Sequence, residues 1–190
     1  MKKMFLAVCT AIISLAFLAT SCPRDEKTPD ELIVQKKGWE LQTATSVPAY
    51  TNFAGVTNEN LLVSFFEDCE KDDILYFYDT KSSMMNLGKT ICDWNADKKE
   101  ISLGNWKFRS ITDNKADVLE FHLPYFTDDK DNFALLEAKV VNLDENTLTL
   151  RIPISFDENP AKSFNGRRVV KTNSKVDPQY QFTFIYKIAK

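Results

Sequence analysis

From Trp39 to its end the chain returns again and again to a period of two. "FALLEAKVVNL" sets Leu136, Ala138 and Val140 against charged and polar neighbours; after "DEN", "TLTLRIPI" brings Leu148, Leu150 and Ile152 back on the same side. "QYQFTFIYKI" does the same with Phe182, Phe184, Tyr186 and Ile188. Strict alternation makes a strand with one apolar and one polar face, which must bury the first against other strands. "WELQTAT" alternates Trp39, Leu41 and Thr43 against Glu40 and Gln42, "DVLEFHL" alternates around Phe121, and "ILYFY" (74–78) is dense in residues that favour strands. The count is about eight antiparallel strands joined by short turns. This predicts an all-β chain folded as an up-and-down barrel with one or two short helices, which removes the exposed edges long apolar strands would otherwise offer. A two-sheet sandwich is the alternative.

Local signals place the rest. Thr28, Pro29 and Glu31 carry the marks of a helix start: N-cap, first-position proline and capping box. "VPAYTNFAG" reads as a loop, and "TNENLLVSFFEDCEKDD" as one short helix with Cys69 at its end. "MMNLGKTICDW" reads as a strand containing Cys92, Pro124 as a strand stop, and Asn146 as a left-handed turn residue. The stretch 157–179 is a long polar excursion: a lid, a partner-binding loop or an insertion.

The N-terminus sets the location. Lys2 and Lys3 precede an apolar run from Met4 to Ala19, followed by small residues at Thr20 and Ser21. These are the three parts of a secretory signal, and the run falls short of the roughly 20 residues a membrane span needs. Leu18-Ala19-Thr20-Ser21-Cys22 resembles the lipobox of bacterial lipoproteins. That resemblance implies a signal peptide over 1–21, cleavage before Cys22 and diacylglycerol on its thiol. Residues 22–31 would then be anchor and tether, and 32–190 one folded domain. Pro23 stands where an Asp would favour inner-membrane retention, so the expected location is the outer membrane, on its periplasmic or surface face. Of four cysteines, Cys9 leaves with the signal and Cys22 is acylated; Cys69 and Cys92 remain, most simply as a disulfide. With 24 basic against 27 acidic residues the chain has no electrostatic case for nucleic acid.

The order of further features carries a second resemblance. A short helix leads to Gly38-Trp39. After it come "EDCEKDDILYF", Cys92, "GNW" (104–106), the "LDENTLTL" hairpin and an aromatic last strand. Over residues 32–190 this resembles the small lipocalin-like domains of bacterial lipoproteins. It departs from lipocalins proper in reading Gly-Trp where they open with Gly-x-Trp. The resemblance implies an eight-stranded barrel whose two cysteines are bridged, and it supplies no ligand.

Chemistry is sparse. His122 is the single histidine and alternates outward, and no Ser or Cys has a plausible His partner. The acidic groups Glu67, Asp68, Glu70, Asp72, Asp73 and Asp128, Asp129, Asp131 lack the order of a calcium loop and read as solvated turns. Arg167, Arg168 and Lys171 read as a solvated face. No catalytic residue, metal or cofactor is expected. The apolar set Trp39, Leu41, Phe77, Trp106, Phe108, Phe121, Leu136, Val140, Leu148, Leu150, Phe182, Phe184 and Tyr186 would converge inside the barrel. An eight-stranded barrel is either filled by its side chains or holds one small ligand. The expectation is a non-enzymatic binding module for a small apolar ligand. The alternative is a protein-interaction module, an envelope-complex subunit or hydrolase inhibitor, using the barrel-end loops.

Overall fold

The capping signals at Thr28 act as the sequence implies. In the computed structural model, α1 (Pro29–Ile33) starts with the Thr28 hydroxyl accepting from the Glu31 N–H, while the Glu31 carboxylate accepts from the Thr28 N–H at 2.7 Å. The structure describes residues 26–190 other than 53, 93–96, 128–131, 157–167 and 170–177. Cys22, the first 25 residues, Asp128, Asp129, Asp131, Arg167, Lys171 and most of the 157–179 excursion therefore lie outside the described residues. Among the described residues no helix is long and apolar enough to cross a membrane.

The strands are β1 (Trp39–Thr51), β2 (Thr57–Asn60), β3 (Ile74–Phe77), β4 (Ser82–Asn86), β5 (Glu100–Asn105), β6 (Lys107–Thr112), β7 (Lys115–Thr127), β8 (Phe133–Leu143), β9 (Thr147–Ile154), β10 (Arg168–Val169) and β11 (Tyr180–Ile188). Nine of them form a nearly closed antiparallel barrel. β11 lies between β9 and β1, β3 and β4 follow β1, and β5 passes directly into β6, which pairs with β7. The short β2 flanks β1, and β10 runs parallel to the end of β7. β5 and β6 are two halves of one bent strand, so a walk around the wall meets about eight strands. A 4-residue helix, α2 (Leu61–Ser64), and a 3₁₀ turn (Asp68–Glu70) follow β2.

The bend has a stated cause. Trp106 leaves the ladder to donate its backbone N–H to the Lys81 carbonyl (2.8 Å) and its indole N–H to the Tyr78 carbonyl (3.1 Å). Gly104 just before it has φ +90°, a conformation that costs a side-chain-bearing residue energy. At the start of β1, Gly38 (φ +74°) is equally constrained, because a Cβ there would come within 2.6 Å of the Ile74 side chain.

Several sequence expectations need correction. β1 does not end before Pro48 but runs to Thr51, and the ladder to β2 skips between Thr45 and Tyr50, so no bond is asked of the proline. A bulge between Leu41 and Thr43 also flips its inward face, leaving Thr43 exposed and burying Ala44 and Ser46. Pro124 does not stop β7, because the β7–β8 register breaks between His122 and Thr127 around it. Cys92 lies beyond β4, in a segment drawn off the ladder where Gly88 and Lys89 donate to the Asp73 and Asp72 carboxylates. The expected helix over 57–73 is cut to α2 and the 3₁₀ turn. Among the described residues the left-handed non-glycine turn residues are Lys81, Asp113 and Asn114 rather than Asn146. At 144–147 the Asp144 carboxylate instead accepts from the Asn146 and Thr147 N–H groups, fixing the turn by side chain.

Candidate functional site

The barrel interior is where the expected ligand residues gather. Trp39, Leu41, Phe77, Trp106, Phe121, Leu136, Leu148, Leu150, Phe182, Phe184 and Tyr186 are all buried in one core cluster. Phe108 and Val140 are partly buried and pack against it. Two ring groups occupy the space. Toward α1, Trp106 meets Phe77 edge-on at 5.5 Å and Phe108 at 5.6 Å, and Phe77 lies 6.2 Å from Phe121. The second group begins at the other end, where Tyr180, Phe182 and Phe184 follow one another along β11 at 6.1 Å, and Tyr186, 6.3 Å from Phe184, continues the row back toward the β8–β9 turn.

What the sequence did not reveal is the contribution of the segment after α2. Phe65 enters this second group, stacked on Phe126 at 5.4 Å and edge-on to Phe182 at 5.5 Å and Tyr50 at 5.6 Å. Phe66 is edge-on to Tyr125 at 5.0 Å and to Phe184 at 5.8 Å. Phe65 and Phe66 thus plug the barrel from the segment joining β2 to β3. Such contacts each add about 0.5–1.5 kcal/mol beyond the area they bury. A pair of Phe at the end of an apolar helical run was the only available signal, and it reads equally well as a helix face.

The plug is held in three ways. Cys69 and Cys92 form a disulfide with Cα atoms 5.3 Å apart, tying the 3₁₀ turn to the chain after β4. Asp73 accepts from the Gly88 N–H (3.0 Å) and from the Tyr125 hydroxyl (3.0 Å). Burial pushes the Asp73 carboxyl up to about 6, with the Gly88 and Tyr125 hydrogen bonds opposing and the Asp72 charge adding to the rise. Burial likewise raises the Tyr125 hydroxyl well above its ordinary range, with the Asp73 and Glu70 charges adding.

The α1 end is closed differently. The Trp39 indole N–H donates to the Ile33 carbonyl (2.7 Å), Lys81 pairs with Asp30 (2.7 Å), and the same ammonium sits 4.2 Å over the Trp106 ring. His122 stays half-buried on the wall against Gly104, its imidazole pKa lowered by burial and only partly restored by a hydrogen bond to the Asn105 backbone. Glu120, nearby on β7, is spent on Lys107 (2.9 Å) and Arg109 (3.4 Å), and Arg109 reaches Glu137 (2.9 Å). Among the described residues, the acidic and sulfur groups close enough to share a metal are Glu67, Cys69 and Cys92, whose two sulfurs are bonded to each other.

Compared with models of protein families, with curated proteins and with solved structures, the chain matches none.

Proposed function

We propose that this chain is an outer-envelope lipoprotein, anchored through Cys22, whose lipocalin-like barrel is a non-enzymatic binding module that engages a protein partner through its surfaces and end loops. The observation that carries this reading is the plug: Phe65 and Phe66 enter the barrel and meet Phe126, Phe182 and Phe184 at ring-contact distance. A barrel filled by its own side chains leaves recognition to its outside. Carriage of a small apolar ligand, the other reading, needs the volume these two rings occupy. A soluble Cys22→Ser chain, purified gently from its own envelope, separates the two by native mass spectrometry. A bare polypeptide mass is expected. A lipid-sized adduct lost on denaturation would make the protein a carrier instead. The same substitution is expected to release the domain from the membrane fraction, and retention there would sink the anchor.

A further inference from the structure

The chain enters the described structure at Glu26 and is fixed within a few residues. The Asn114 side-chain amide donates to the Lys27 carbonyl (3.4 Å), Lys27 pairs with Glu145 (2.7 Å), Thr28 caps α1, and Pro29 is buried. Asn114 belongs to the β6–β7 turn and Glu145 to the β8–β9 turn, so the tether leaves from the α1 end, between these two turns. Cys22 is four residues before Glu26. At about 3.5 Å per extended residue, four residues can carry the Cys22 Cα no farther than roughly 14 Å from that exit.

Beside the exit is a groove of about 250 Å³ between α1 and the wall, with Leu32 on one side and Ala116, Val140, Val141 and Leu143 among the residues on the other. Val141 is 49% exposed. Ile111, 50% exposed, pairs with Ala116 across β6–β7, extending the apolar stripe on to the next strand. Polar groups also line it, Asn114, Asn142 and the exposed Lys115, while nearby Lys27 pairs with Glu145 and Asp144 accepts the hydrogen bonds of its own turn. An exposed apolar stripe beside a short tether, with a lysine at its edge to meet lipid phosphate, fits a lipid surface.

We propose that this face of the α1 end rests on the bilayer in which Cys22 is anchored, so that the opposite end, with the plug and the Cys69–Cys92 bridge, points away from the membrane toward a partner. The inference rests on the lipoprotein reading. A two-chain acyl anchor suffices for retention, so the groove decides orientation rather than attachment.

The test uses the lipidated full chain in vesicles containing brominated phospholipid. Because Cys22 is acylated and Cys69 and Cys92 are bonded, one added cysteine takes a fluorescent label selectively: Val141→Cys at the groove, or Val63→Cys on exposed α2. Quenching at 141 is expected to exceed that at 63 at least threefold. Adding Val141→Glu to a chain labelled at Ile111→Cys is expected to lower quenching there, with the protein still sedimenting with the vesicles. Equal quenching at 141 and 63 in vesicle-bound protein overturns the orientation and leaves the anchor standing. Failure to sediment at all overturns both. Protection at 141 without quenching means a protein covers the groove, which also overturns the proposal.

Discussion

The two ends of the barrel meet the same demand, to cover an apolar interior, by opposite means. At the α1 end the closure is polar and mostly local: a capping box and an indole N–H on the Ile33 carbonyl, joined by a lysine that bridges Asp30 and Trp106 from farther along the chain. At the other end it is long-range and aromatic: Phe65 and Phe66 reach across to β7 and β11, held by a bridge spanning 23 residues. In the first, the capping box and the Trp39–Ile33 bond form from neighbours in the chain, and only Lys81 reaches across it. The second exists only once the strands have assembled around it, so its parts depend on one another more strongly.

That contrast orders the expected losses. Phe182→Ala empties a position in ring contact with Tyr50, Phe65 and Phe126 and is expected to cost about 3–5 kcal/mol in chemical denaturation. A cost below about 1 kcal/mol would mean the aromatic end is loosely packed. Removing both Cys69 and Cys92 as Ser is expected to cost on the order of 3 kcal/mol by loop entropy, with faster hydrogen exchange over 61–73 than at α1. Uniform acceleration would break the comparison between the ends.

Asp73 gives the comparison a pH axis. Its folded pKa is raised, so its contribution is complete below the unfolded value near 3.9 and is lost as pH rises through about 6. Asp73→Asn is expected to stabilise the protein at pH 7.5 by up to about 2 kcal/mol and to flatten the stability profile between pH 4 and 7. Destabilisation at pH 4 and at pH 7.5 alike would mean that the carboxylate's hydrogen bonds to Gly88 and Tyr125 outweigh its burial. The smallest effect belongs to the local end: Thr28→Ala is expected to cost about 1 kcal/mol and to leave exchange over 61–73 unchanged.

Legibility in the sequence follows the same division. The α1 capping box, the β8–β9 hairpin and the inward face of β11 were readable because each is written within a few residues at one period. β1 and β7 were cut short because Pro48 and Pro124 normally interrupt a ladder, and only their neighbours' register shows that no hydrogen bond is required of them there. The face of β1 was misread past Leu41 because one extra residue in a bulge reverses every later side chain. Tyr50, Tyr125 and Phe126 lie beyond those breaks, which is why these rings of the plug site were missed while Phe182, Phe184 and Tyr186 were found.

The sequence by itself determined the all-β class, the approximate number of strands, the α1 cap and which face of β8, β9 and β11 is apolar, since alternation and capping are short-range and act wherever those residues occur. The tertiary structure alone decided that one strand bends at Trp106, that Phe65 and Phe66 turn inward as a plug, and that Asp73 is buried against Tyr125. Each of these depends on groups more than 20 residues apart in the chain, brought together only when the wall closes.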